Sequence, residues 1–275
     1  MSSENKLEYT EIGFCVPDKT PWAIYEEAVS RYAFASRYVR GKITLDVGCG
    51  NGYGCAILLS AGARKVIGGD INSKAVNYAK VHYAREGLDF LYLDAISLPF
   101  PNDYFDTIVC LETIEHVPEP RRLLLECKRV IRPGGLIICS TPNKAVYTVN
   151  RIKKPLDPFH IQEFYIQEFY NLLSEYFVDI TLYGQRFMKS VEIIKHKSVM
   201  LAYFAGRKIF SFLPRGAELR HFTYYLISKG KNLFGKGNDY RCLDSRFEVL
   251  ALPDDSSKSP LDVIAVAKVT KRVGD

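Results

Sequence analysis

Apolar positions along the chain fall into short runs separated by segments of helical period. ITLDVG (43–48), KVIGGD (65–70), FLYLD (90–94), FDTIVCLE (105–112), LIICSTP (136–142), DITLYG (179–184) and DVIAVAKVT (262–270) read as strands. Between them, YGCAILLSAG (53–62) is compatible with a helix, and SKAVNYAKVHYAR (73–85) repeats apolar residues at helical spacing, with Ser73 as its N-cap. PRRLLLECKRVIRPGG (120–135) predicts a helix stopped by Pro133-Gly134-Gly135, and QEFYNLLSEYF (167–177) predicts another. Strands alternating with helices imply an α/β fold, a mostly parallel sheet with helices on both faces. Ligands of such sheets sit beyond the carboxyl ends of the strands, at the topological switch point. Each polar motif described below falls at one of those ends.

Composition sets the outer bounds. A chain of 275 residues, 47% hydrophobic and 25% charged, is ordinary globular material, which excludes wholesale disorder and collagen-like repeats. Its length suits one large domain or a domain with an insertion. No window approaches the roughly 18 consecutive apolar residues of a transmembrane helix. MSSENKLEYTEIGF lacks the basic and apolar regions of a secretory signal. Seven Cys are an odd number, none in a CxxC pair, and most lie in apolar runs. These features predict a reduced, cytoplasmic protein.

Charge changes the picture in one place. The net charge of +6 is concentrated in residues 186–241, where twelve Lys/Arg face three Asp/Glu and alternate with aromatic residues. Such a stretch suits nucleic acid, an anionic ligand or peripheral contact with a membrane surface. It equally suits a helical cap whose apolar side packs on the main domain and whose Lys/Arg face water.

Three acids and a glycine loop mark the chemistry. Asp46-Val47-Gly48-Cys49-Gly50-Asn51-Gly52-Tyr53-Gly54 joins the first strand to the first helix, and glycines there let the backbone turn sharply and approach a ligand. The dinucleotide pattern GxGxxG requires glycine at position 53, which is Tyr53. Asp46 places a carboxylate beside the loop, to hold an amino group or to cap loop amides. Asp70 ends the second strand, where an acid accepts both hydroxyls of a ribose. Asp94 ends the third, where it can accept from an exocyclic amino group. A helix N-cap explains any one of these acids, but not all three at successive strand ends.

LDVGCGNGYG, the acid in GGDIN, LDAISLPFPNDYFDTIVCLETIEHV and RVIRPGGLIICSTPN, in this order, resemble the motifs of class I S-adenosylmethionine-dependent methyltransferases. The resemblance covers about residues 31–184. It implies a Rossmann-like, seven-stranded sheet whose last strand is antiparallel. It further implies that Gly48, Gly50 and Gly52 face the methionine part of the donor, Asp70 with Ile71 the ribose, and Asp94 with Ala95 the adenine. Leu111 and Glu112 then lie beside the methyl group. Arg31-Tyr32 and Tyr38 resemble the lid that covers the cofactor in many members. The expected organisation is a lid segment (1–40), a donor-binding core (41–185), a basic aromatic insertion capping the acceptor (186–245), and the closing strand or strands (246–275).

Candidate catalytic groups follow the fourth strand in Glu112-Thr113-Ile114-Glu115-His116, with His160 later in DPFHIQEF. A helical turn begun at Glu112 puts positions 112, 115 and 116 on one face. Two carboxylates and an imidazole there can bind a divalent cation such as magnesium. ExxEH with a later His resembles the metal site of small-RNA 3′-terminal ribose 2′-O-methyltransferases, and ExxEHV resembles quinone-precursor O-methyltransferases. Both groups act on vicinal diols, and a metal bound to a diol lowers the pKa of the attacked hydroxyl. His116 as a metal-free base, or as a structural contact only, explains the same residues. SRYAFA, STPN and GQR are similar to segments of methyltransferases encoded among glycan-assembly genes, which implies a sugar or glycan hydroxyl as acceptor. RNA ribose methylation, a quinone-precursor acceptor, donor binding without turnover and a nicotinamide oxidoreductase stand as alternatives.

Overall fold

A computed structural model describes residues 22–147, 159–187, 247–251 and 262–269. The first helix, α1 (Trp22–Ala35), leads through a 3-10 turn (Ser36–Tyr38) into β1 (Ile43–Val47). Then come α2 (Tyr53–Ser60), β2 (Lys65–Asp70), α3 (Ser73–Tyr83), β3 (Leu88–Tyr92) and β4 (Phe105–Leu111). A 3-10 turn (Ile114–His116) precedes α4 (Pro120–Val130), β5 (Ile131–Pro142), the short α5 (Lys144–Tyr147) and α6 (Ile166–Ser174). The sheet closes with β6 (Val178–Phe187), β7 (Phe247–Ala251) and β8 (Asp262–Lys268).

The strand order is β3-β2-β1-β4-β5-β8-β6-β7. β1 to β5 pair in parallel, while β8 runs antiparallel to both β5 and β6. The seven expected strands are present, and the closing one is antiparallel as the motifs imply. An eighth, β7, is added antiparallel on the outer edge of β6, so part of 246–275 lies at the sheet's edge. The order reverses between β1 and β4, and the crevice beyond their carboxyl ends is where such sheets bind ligands.

Burial explains why the central strands are unbroken apolar runs. Every residue of β4 is buried, and Leu45, Val47, Ile108, Cys110, Ile137 and Cys139 join α4 and α6 in one core. The opposite face packs Tyr32, Phe34, Cys55, Leu58, Val66, Val76, Leu88 and Ile264 into a second core, which binds α1, α2 and α3 to the sheet.

Three local expectations are corrected. The N-cap of α3 is Asn72, whose side chain accepts from the amides of Lys74 and Ala75 at 3.1 and 3.3 Å; Ser73 is already the first helical residue. α4 ends at Val130, because Ile131 leaves the helix to pair with Phe105 and Arg132 precedes a proline. No helical turn starts at Glu112, whose φ of 50° lies in the left-handed region; the turn begins at Ile114. Positions 112, 115 and 116 therefore do not share a helix face.

β6 takes in Arg186 and Phe187, the first residues of the predicted insertion; residues 188–246 lie outside the described residues, as do 1–21 of the lid segment. Among the described residues, no helix is long and apolar enough to cross a membrane.

Candidate active site

The glycine loop is tied to the end of β2. The amides of Gly48 and Cys49 donate to the Gly69 carbonyl at 2.8 and 3.0 Å. Gly52, with φ of 86°, starts α2, and a Cβ there would lie 2.7 Å from both Ala79 and the Phe90 ring. Gly48 also has positive φ, and a Cβ on it would collide with the side chain of Thr113. Thr113 also donates to the Val47 carbonyl at 3.2 Å, so the residues just after β4 lie against the loop.

The three acids have different surroundings. Asp70 accepts the amide of Gly50 on one oxygen and that of Asn72 on the other, both at 2.8 Å, which shapes the loop and leaves each oxygen a further lone pair. Ile71 beside it is exposed. Asp94 lies two residues beyond β3 and accepts the Ile96 amide at 3.1 Å, with Ala95 half-buried next to it. Asp46 is fully buried and caps no loop amide. One oxygen accepts from Tyr32 Oη at 3.0 Å and Cys55 Sγ at 3.1 Å, and the other has no partner. Burial pushes its carboxyl up to about 7 against the lowering pull of these two hydrogen bonds. Burial, then the Asp46 charge, also holds the Tyr32 phenol well above its ordinary value.

Past β4 the structure brings together Glu115, His116 and His160, each offering a ligand atom, all within 4.8 Å of one another. The loop carrying His160 is held to the 3-10 turn, because the amides of Ile161 and Gln162 both donate to the Glu115 carbonyl, at 2.9 and 3.2 Å. The two imidazoles meet edge to face, with centroids 4.9 Å apart. His116 Nδ1 lies 3.0 Å from the Phe159 carbonyl, which can only accept, so Nδ1 donates and Nε2 is the acceptor nitrogen of the neutral ring. His160 Nδ1 pairs with Glu163 Oε1 at 3.0 Å. Glu115 is fully buried: Oε2 accepts from Thr141 at 3.2 Å, while Oε1 has no hydrogen-bond partner and sits 4.0 Å from His116 Nε2. Burial, then the nearby Glu112, raises the Glu115 carboxyl well above its usual range.

Glu112 is not in that group. Its carboxylate accepts from Ser140 Oγ at 2.6 Å, its amide donates to the same oxygen at 3.1 Å, and Arg31 Nε lies 4.0 Å away. Leu111 is buried beside it. Arg31 is itself buried on α1, with Nη1 2.7 Å from Asp262 and 2.9 Å from Gln185. Burial works against its charge but is outweighed by Glu112, Asp262 and Glu27, which hold its pKa above the ordinary value. The sequence motifs did not reveal Thr113, Ser140, Glu163, Gln185 or Asp262. The last two lie more than 150 positions from Arg31, and no local pattern links them.

Comparison with known proteins fits this geometry. Residues 45–139 match the family profile described as a methyltransferase domain. A Mycolicibacterium smegmatis protein named "Probable S-adenosylmethionine-dependent methyltransferase" is 38% identical over 123 residues, 45% of this chain and 46% of that protein. The ubiquinone biosynthesis O-methyltransferase of Aromatoleum aromaticum is 36% identical over 107 residues, 38% of this chain and 45% of its own. The matched stretch spans about half the length of these curated relatives. Among solved structures, the cyclase SpnF superposes with a TM-score of 0.58 at 15% identity, covering 97% of this chain and 92% of its own. An S-adenosylmethionine-dependent methyltransferase from Mesorhizobium loti gives 0.52 at 15% identity, covering 88% and 99%. The strand order and these neighbours define the Rossmann-like fold of class I methyltransferases. SpnF shares that fold and is a cyclase, so chemistry has to be argued from the site.

Proposed function

We infer that this protein is an S-adenosylmethionine-dependent methyltransferase acting on a hydroxyl of a sugar, a glycan or another small diol. The observation that carries the reading is the convergence of Glu115, His116 and His160 past β4, next to the residue that packs on the donor loop. In methyl transfer to oxygen, an acceptor lone pair forms the new C–O bond and sulfur keeps the electron pair of the broken S–C bond. The hydroxyl proton must leave, and a neutral hydroxyl is a poor nucleophile, so a base is needed. His116 Nε2 suits that role, with Nδ1 anchored on a carbonyl and Glu115 Oε1 4.0 Å from Nε2. Asp70 and Asp94 keep acceptor capacity for ribose and adenine, and the Gly48–Gly52 loop lets the methionine part approach the backbone. Asp46 is buried and bonded to Tyr32 on α1, with its second oxygen left for an amino group of the donor.

The same three groups fit a divalent cation. Glu115 has a buried oxygen without a partner, and both imidazoles are anchored through Nδ1, as metal-ligating histidines are. One carboxylate oxygen with two imidazole nitrogens suits manganese, iron or zinc better than magnesium. Such an ion would supply a Lewis acid that lowers the pKa of a bound hydroxyl.

The sugar reading draws on the motif resemblance and on vicinal diols as the shared acceptor feature. A catechol acceptor is the second reading, favoured by the ubiquinone-pathway relatives and by exposed Phe159 and Ile161 flanking His160. Ribose methylation of RNA requires the basic 186–241 stretch to hold phosphates, with steep salt dependence.

The test is incubation with methyl-labelled S-adenosylmethionine and glycan, catechol or short-RNA pools, with and without chelator. Label in a glycan hydroxyl is the expected result, and label in no pool overturns the reading. Loss on chelation that manganese restores supports the ion. Activity indifferent to chelator but lost in His116→Ala supports the base alone.

A further inference from the structure

α1 reaches both halves of the site through consecutive residues. Tyr32 turns inward to Asp46 under the donor loop, while Arg31 reaches the ends of three other strands. Arg31 bonds Gln185 on β6 and Asp262 on β8, which are direct partners across the sheet. Gln185 returns the connection, donating to the Glu27 carbonyl at 2.8 Å and to Ser30 Oγ, so the helix is fastened at two points a turn apart. Arg31 Nε faces Glu112, the residue in left-handed backbone conformation at the end of β4. A non-glycine residue stays in that region only where its surroundings over-determine it. Here they are Ser140, which engages both the amide and the carboxylate of Glu112, and the guanidinium. Thr113, next in sequence, packs on Gly48, so whatever sets residue 112 also sets one wall of the donor loop.

We propose that Arg31 is a positioning residue that acts through Glu112, holding the end of β4 in register with the donor loop when α1 is docked. The inference rests on the methyltransferase reading for its kinetic consequence, but the structural coupling can be tested separately. Lysine keeps the charge but, as a single point donor, does not span Asp262, Gln185 and Glu112 at once as the planar guanidinium does. Arg31→Lys is thus the informative variant, and Arg31→Met with Asp262→Asn serves as a charge-balanced second if the lysine variant fails to fold.

Hydrogen exchange of residues 111–116 and steady-state kinetics are measured in wild type, Arg31→Lys, Glu112→Gln and the double variant. The expected result is faster exchange at 111–116 in each single variant, with the double variant no worse than either. kcat should fall on the order of tenfold, with a smaller change in donor KM, again without additivity. Unchanged exchange in Arg31→Lys, or effects that add in the double variant, overturns the proposal. If the wild type transfers no methyl group but the exchange coupling is present, the functional reading has failed and the positioning role stands.

Discussion

At the scale of single residues, the informative groups are charges placed where water cannot reach them. Asp46 is the sharpest case, with a carboxyl at about 7 against an ordinary 3.8, raised by burial. A folded-state pKa above the unfolded one means that folding favours the protonated acid. That contribution is complete below about pH 4 and is lost as pH rises through 7, amounting to at most roughly 4 kcal/mol. Asp46→Asn removes the titration while keeping an acceptor for Tyr32. Chemical denaturation from pH 4 to 8 should therefore show the variant gaining on wild type as pH rises, with most of the change before pH 8. A stability difference independent of pH would mean that Asp46 titrates normally. The sequence placed this acid beside the loop but left its partner open between a ligand amine and loop amides. In the structure Tyr32 and Cys55 bond one of its oxygens, and Tyr32 arrives from a helix whose packing no local pattern shows.

At the scale of elements, the sheet was legible because buried parallel strands are written as uninterrupted apolar runs, as IVCL in β4 and LIIC in β5 show. Their ends were less legible, since they depend on pairing: Ile131 joins the strand because Phe105 waits beside it. Glu112 was misread for a related reason, because local spacing suggested a helical face while Ser140 and Arg31 hold the residue in another conformation. The docking of α1 on α2 offers a direct test of such contacts. A Cβ on Gly54 would collide with the Tyr32 ring, so glycine at 54 is required by a partner on another helix. Gly54→Ala should cost about 1–3 kcal/mol by overpacking. Adding Tyr32→Ala should recover part of that loss, because the obstructing ring is gone. Additive losses in thermal denaturation of the two single variants and the pair would show that Gly54 is needed for some other reason.

At the scale of the whole molecule, α1, the glycine loop, the end of β4 and the His160 loop come from distant segments and meet on one edge of the sheet. Glu115 and His116 were legible as a motif, and His160 as a later histidine. Their meeting depends on the Ile161 and Gln162 amides reaching back to Glu115, which sequence spacing does not encode. A molecule assembled this way should be stabilised as a unit by the donor, because binding the folded state alone shifts the folding equilibrium. At a hundred times its dissociation constant, S-adenosylmethionine should add about 2.7 kcal/mol. For a chain of this size that corresponds to a rise in Tm of roughly 5–10 °C. S-adenosylhomocysteine should act likewise, since both carry the adenosine and methionine parts that the proposed function assigns to Asp70, Asp94 and the glycine loop. NAD should not, because Tyr53 occupies the position where the dinucleotide pattern needs glycine. A Tm raised by NAD and unmoved by either sulfur compound would transfer the crevice to a nicotinamide cofactor. The Glu115–His116–His160 group would then need a chemistry other than methyl transfer.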